Sequence, residues 1–158
     1  ELAHSNPNAT IFWHLDGTDI WTEYGVFLTE EKSGGRDNLK ALLCPSGTKE
    51  HTAVDIREED GEKYSDTLTV ANAARDITLT FALYAATRQE WLKKYMSFIS
   101  FLKTGEKGWL SLYLPQLDLT LRVFYLECPG FTPLTYLWEE GVQAGRFKVK
   151  FHEPKPVI

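Results

Sequence analysis

The chain is poor in the residues that carry chemistry. Its 158 residues include two cysteines, Cys44 and Cys128, neither in a CxxC pair. That excludes a disulfide-stapled scaffold and a zinc ribbon. The two thiols read as reduced and partly buried, the alternative being a single disulfide in an oxidising setting. Long apolar runs are missing: none approaches the roughly 20 residues of a helical membrane span. The first nine residues are polar and carry no signal-peptide core. Cations are in deficit, with 17 Lys and Arg against 22 Asp and Glu, a formal charge of −5. This argues against a protein that grips nucleic acid by displacing counterions.

Catalytic and metal-binding patterns are equally scarce. His4, His14, His51 and His152 are scattered without ligand spacing. His14 and Asp16 form an HxD pair beside a turn, but no third ligand is in view, so an exposed strand histidine beside a turn aspartate is expected. Glu58, Glu59, Asp60 and Glu62 crowd one loop without the spaced oxygens of a calcium site, which suits a solvated acidic loop. Gly34-Gly35-Arg36 has no GK[ST] after it and opens no helix, and no GxSxG occurs. An enzyme using His14, Asp16 or His51 would have no constellation behind it. The reading is of a non-enzyme that needs no metal or cofactor.

What the chain does have is aromatic residues, 13% of the total, and clear periodicity. From Asp76 to Tyr84, Ile77, Leu79, Phe81 and Leu83 alternate with Thr78, Thr80, Ala82 and Tyr84, which predicts a half-buried strand. Thr87-Arg88-Gln89-Glu90 is a capping box. The helix it opens, Arg88–Thr104, carries Trp91, Leu92, Tyr95, Met96, Phe98, Ile99 and Leu102 at spacings of three and four. Gly105 ends it in the left-handed conformation. So wide an apolar face predicts packing between a sheet and a second surface. Leu110, Leu112 and Leu114 restore a period of two.

Elsewhere, Thr10–Leu15 and Ile20–Leu28 alternate around Asp16-Gly17 and predict a hairpin, with a bulge at Gly25. Thr29–Asn38 is a loop by composition. Leu39–Cys44 is a strand or a helical turn, Thr52–Ile56 a short strand, and Thr67–Val70 its partner. Leu117–Leu126 is the longest strand signal, its far end apolar on both faces and broken by Pro129-Gly130. Leu134–Trp138 is a further apolar run, and Arg146–His152 a last strand before Pro154. The fold class is mainly β: an antiparallel β-sandwich or barrel with one long α-helix packed against it. At this length it is one domain, 1–158, with an ordered core of about 10–154.

The order of elements carries a resemblance. An N-terminal hairpin with a DG turn and the phrase Tyr24-Gly25-Val26 leads into a loop-rich region. A strand follows, then a capped helix ending in Phe101-Leu102-Lys103-Thr104-Gly105. A strand hairpin and a last strand, Phe147-Lys148-Val149-Lys150-Phe151, run into Pro154. Over about Thr10–Pro154 this plan resembles the tail-tube-like fold of bacteriophage tails. It is most like the ring-forming N-terminal domain of distal tail proteins, and is similar to tail tube and type VI secretion tube proteins. Distal tail proteins often carry a second, carbohydrate-binding-like domain; this chain is too short for one, so a host-sugar role is not carried over.

The resemblance implies a structural component of a bacteriophage or prophage tail, forming a hexameric ring at the tail tube or its distal end. Its partners would be itself and other tail or baseplate proteins, with no sequence-specific nucleic acid and no membrane. Its location would be the virion tail, and the bacterial cytoplasm during assembly. The alternative is a lipocalin-like module holding a small apolar molecule. The predicted hairpin carries Trp13, Trp21 and Phe27 with large apolar groups on both faces, and these three are the candidate oligomer interface. The loop region after it would then order on assembly.

Overall fold

The computed structural model describes residues 14–15, 18–32, 34–54, 57, 60–115, 117–136 and 140–158. In chain order these contain β1 (His14–Leu15), β2 (Thr18–Asp19), α1 (Ile20–Tyr24), β3 (Val26–Leu28), α2 (Asp37–Leu43), β4 (Arg75–Ala85), α3 (Arg88–Thr104), β5 (Leu110–Leu114), β6 (Leu119–Pro133) and β7 (Gln143–Glu153). The strands pair antiparallel in the order β2-β1-β5-β6-β7-β4-β3. The fold is mainly β with one long helix, as the sequence predicts.

β6 makes the sheet curl. Its first half pairs with β5, Leu121 opposite Leu112, and its second half pairs with β7, Phe131 opposite Phe147. Register shifts between Tyr125 and Glu127 and between Glu127 and Gly130 mark the change of neighbour. Pro129 therefore does not end the strand: it sits within a bulge, where its missing N–H costs no ladder bond. The far end is not buried on both faces as predicted, since Leu126 and Phe131 are 42% and 40% exposed.

α3 lies on the concave face and sets the core. The Thr87 hydroxyl accepts the Glu90 N–H at 3.2 Å, and the Glu90 carboxylate meets Lys94 Nζ at 3.1 Å. Trp91, Phe98 and Leu102 are buried, and Tyr95 packs beside them. They meet Ile77, Leu79, Phe81 and Leu83 of β4 and Phe147, Val149 and Phe151 of β7, all buried. Each full burial of this kind contributes roughly 1.5–3 kcal/mol. The rings interlock: Phe98 is edge-on to Phe81 at 5.8 Å, and Tyr95 to Phe147 at 5.3 Å. Trp91 donates Nε1–H to the Leu83 carbonyl at 2.9 Å. It can do so because Gly145 lies beneath it, where a Cβ would stand 2.7 Å from the indole. The helix stops at Gly105, whose φ of 48° and ψ of −147° lie outside the left-handed helical basin predicted for it. Its apolar face is narrower than predicted: Leu92 and Met96 are 52% and 63% exposed.

Among the described residues the predicted N-terminal hairpin is far shorter. Leu15 pairs with Thr18 and His14 with Asp19, where the ladder stops; the predicted DG turn lies outside the described residues. Ile20–Tyr24 is a helical turn, although its alternation reads as strand. Asp19 Oδ1 accepts the Trp21 N–H at 3.0 Å and caps it. Gly25, at φ 67°, sends its N–H back to Trp21 O at 2.9 Å and ends it. Over so few residues, caps at both ends outweigh a side-chain period.

Leu39–Cys44, open between strand and helix in the sequence, is helical as far as Leu43 and belongs to α2, with Cys44 as its cap. The Glu30 carboxylate accepts the N–H groups of Asp37 and Asn38 at 3.0 and 3.1 Å. The Asn38 amide then completes the β4 edge where β3 ends: Oδ1 accepts the Thr80 N–H at 2.8 Å, and Nδ2 donates to Thr29 O at 2.7 Å and to Thr80 O at 3.3 Å. This side chain takes the place of a strand residue and blocks the edge to further pairing. Among the described residues the predicted partnership of Thr52–Ile56 with Thr67–Val70 is not formed. Val54 bridges Lys63, and Thr48 bridges Asn72.

Candidate assembly surface

The sequence-predicted interface is brought together in part. Trp21 on α1 and Phe27 on β3 meet edge-on, ring centres 5.6 Å apart at 70°, and both are half-buried. The cap at Asp19 and the turn at Gly25 place them so. Trp13 lies outside the described residues, as does Asp16, and the His14 side chain is not described either. β3 is the last strand of the sheet, three residues long. Short edge strands limit unwanted pairing, yet this one carries Phe27 with Trp21 of α1 against it.

The segment between α2 and β4 is an arm. Its root is closed by Lys49 N–H to Ala71 O and Ala73 N–H to Gly47 O, both 2.8 Å, and its middle by paired bonds between Val54 and Lys63. From Pro45 to Ala73 no described residue is buried. Val54, Tyr64, Leu68 and Val70 are 56%, 49%, 47% and 65% exposed. A two-stranded ribbon alone is marginal in water. The arm is anchored by Arg75, whose Nε lies 2.6 Å from Glu153 Oε1 and whose Nη1 donates to the Cys44 carbonyl, both acid and base nearly inaccessible. Asn72 Nδ2 adds a bond to Pro156 O at 3.4 Å.

A third feature was not found from the sequence. Where α3 runs into β5, two open grooves of about 340 and 570 Å³ flank Trp109. Arg122 lies over the Trp109 ring at 4.6 Å, and Lys103 over the Tyr125 ring at 5.6 Å. Lys107 lines both grooves, and Glu106 lines the larger. These cations are far apart in the chain, so no charge run announces them. The hairpin register could have: pairing Leu110 with Val123 sets Trp109 beside Phe124, and these rings meet at 5.6 Å.

Among the described residues, no group of three or more His, Cys, Asp or Glu is placed to hold a metal ion. Cys44 and Cys128 are both free. His152 Nδ1 meets Asp76 Oδ1 at 2.7 Å on the sheet surface. Burial raises the Tyr95 phenol above its ordinary 10, with the neighbouring Cys128 and Tyr125 adding to the shift. Burial likewise raises Tyr125. The concave face is filled by the rings of Phe81, Phe98 and Phe147. Among the described residues, no helix is long and apolar enough to cross a membrane.

No protein-family model and no curated protein matches the chain. Among solved structures it is similar to the Dit protein of phage SPP1, described as a paradigm of the hub adsorption apparatus in phages that infect Gram-positive bacteria. The TM-score is 0.55 at 16% identity, over 92% of this chain and 50% of Dit. The two chains share a fold over that length. The chain spans half the length of Dit, and at this identity the likeness speaks for fold alone.

Proposed function

We propose that this chain is a structural subunit of a bacteriophage or prophage tail that closes into a ring, hexameric by the family plan, at the tail tube or its distal end. The observation that carries the proposal is the fold shared with SPP1 Dit over 92% of the chain. The surface supports it. An arm that buries none of its described residues and a short edge strand carrying Phe27 beside Trp21 both leave apolar area for a neighbour. Ring closure would cover such edges between copies. Other tail or baseplate proteins would stack on the ring, in the virion tail and, during assembly, in the bacterial cytoplasm. A net-negative chain suits a channel wall past which DNA slides without sticking. The lipocalin-like alternative needs an apolar cavity, and here aromatic rings occupy that space.

In this reading Trp21 and Phe27 meet the next copy. The test is a variant with Trp21→Ser and Phe27→Glu, compared with the parent by circular dichroism and light scattering. The expected result is loss of oligomers with an unchanged spectrum. A variant that keeps the parent's oligomers would remove these residues from the interface.

A further inference from the structure

Two surfaces of opposite charge stand exposed on different flanks of the sheet. The arm leaves from the β4 flank. By sequence the segment from Lys49 to Asp66 holds seven carboxylates against three cations, and of these carboxylates Glu50, Asp60, Glu62 and Asp66 are described and exposed. The other surface is the cleft on the β5–β6 flank, where Lys103, Lys107 and Arg122 surround Trp109 and Tyr125. Glu106 is the carboxylate lining it. Among the described residues no carboxylate forms an ion pair with any of the three cations. Arg122 and Lys103 instead rest on aromatic faces, which fixes their heads at the rim of the grooves.

We infer that the acidic arm of one copy docks in the basic aromatic cleft of a second copy. This rests on the ring reading above and names the contact that would build it. The charges complement each other, and complementary potentials set both partner choice and docking register. The arm also carries Tyr64 and Leu68, exposed beside its acidic residues, and the cleft offers Trp109, Phe124 and Tyr125 to cover them. Two different patches on different flanks of one chain are what head-to-tail association requires, and a closing rotation turns such contacts into a ring. A ribbon none of whose described residues is buried in its own chain gains its packing from the neighbour.

The test reverses each charge set separately in the full chain. One variant carries Lys103→Glu and Lys107→Glu; the other carries Asp60→Lys and Glu62→Lys. All four positions are exposed, and circular dichroism checks that both variants keep the parent's fold. Sedimentation velocity then follows self-association at low and high salt. Each variant alone should associate at least about tenfold more weakly than the parent at low salt. An equimolar mixture should recover association, because each altered surface then finds its complement. If the parent assembles and neither reversal weakens it, the arm-to-cleft contact is wrong and the ring reading stands. Weakening without recovery in the mixture overturns the contact as well. A parent that stays monomeric at millimolar concentration overturns the ring reading, and this inference with it.

Discussion

Trp91→Ala should cost about 3–5 kcal/mol, placing it among the most damaging single truncations in this chain. The indole is 2% exposed. A buried aromatic of this size removes about 150–250 Å² from water, or roughly 4–6 kcal/mol at about 25 cal/mol per Å². Residual burial in the unfolded chain reduces that figure by about 10–40%. Two local features keep the cost high. The Leu83 carbonyl loses the Nε1–H it accepts at 2.9 Å, a debit of about 1 kcal/mol or more if it stays dry. The floor of the site is Gly145, which has no side chain to fill the hole. Urea denaturation followed by circular dichroism reads the loss as a lower midpoint at unchanged slope. Thermal midpoints should fall by roughly 2–4 °C per kcal/mol. Trp91→Phe should cost less than Trp91→Ala, since it keeps one aromatic ring while losing the second ring and the donor. A Trp91→Ala midpoint that barely moves would refute the placement of α3 as organiser of the core.

Three further outcomes follow from the same packing. Arg75→Leu should cost about 3–5 kcal/mol by stranding Glu153, while Arg75→Leu with Glu153→Leu should recover most of the loss, both read by urea melts. Asn38→Ala should cost about 1–3 kcal/mol by orphaning Thr80 and Thr29 backbone groups, and light scattering should show new aggregation through the opened β4 edge. Stability should hold below pH 10 and fall as pH rises through the raised pKa of Tyr95, because only the neutral phenol is compatible with its burial. Tyr95→Phe should flatten that alkaline limb.

Long periodic elements were legible in the sequence, and short capped ones were not. β4, α3, β5 and β7 follow from Ile77–Leu83, Trp91–Leu102, Leu110–Leu114 and Phe147–Phe151, because each pattern repeats often enough to outweigh local chemistry. Ile20–Tyr24 misled because five residues carry too little period to compete with a cap at Asp19 and a turn at Gly25. Pro129 looked like a strand end because a bulge depends on tertiary pairing that no local pattern reveals. Leu92 and Met96 read as core because spacing shows which side chains share a face, not how wide a partner covers it. Of the candidate interface, Trp21 and Phe27 stood out by their apolar bulk, but their contact was not legible, because it depends on the helical turn at Ile20–Tyr24. The basic cleft was hidden, since Lys103, Lys107 and Arg122 meet only through the fold.

The ring is the central claim, and electron microscopy of the purified chain, paired with light scattering across a concentration series, tests it most directly. The account predicts closed annular particles of uniform size, more abundant as concentration rises, whose mass is a whole multiple of 18.1 kDa. A protein that remains monomeric at millimolar concentration, with no annular particle in the images, would contradict it.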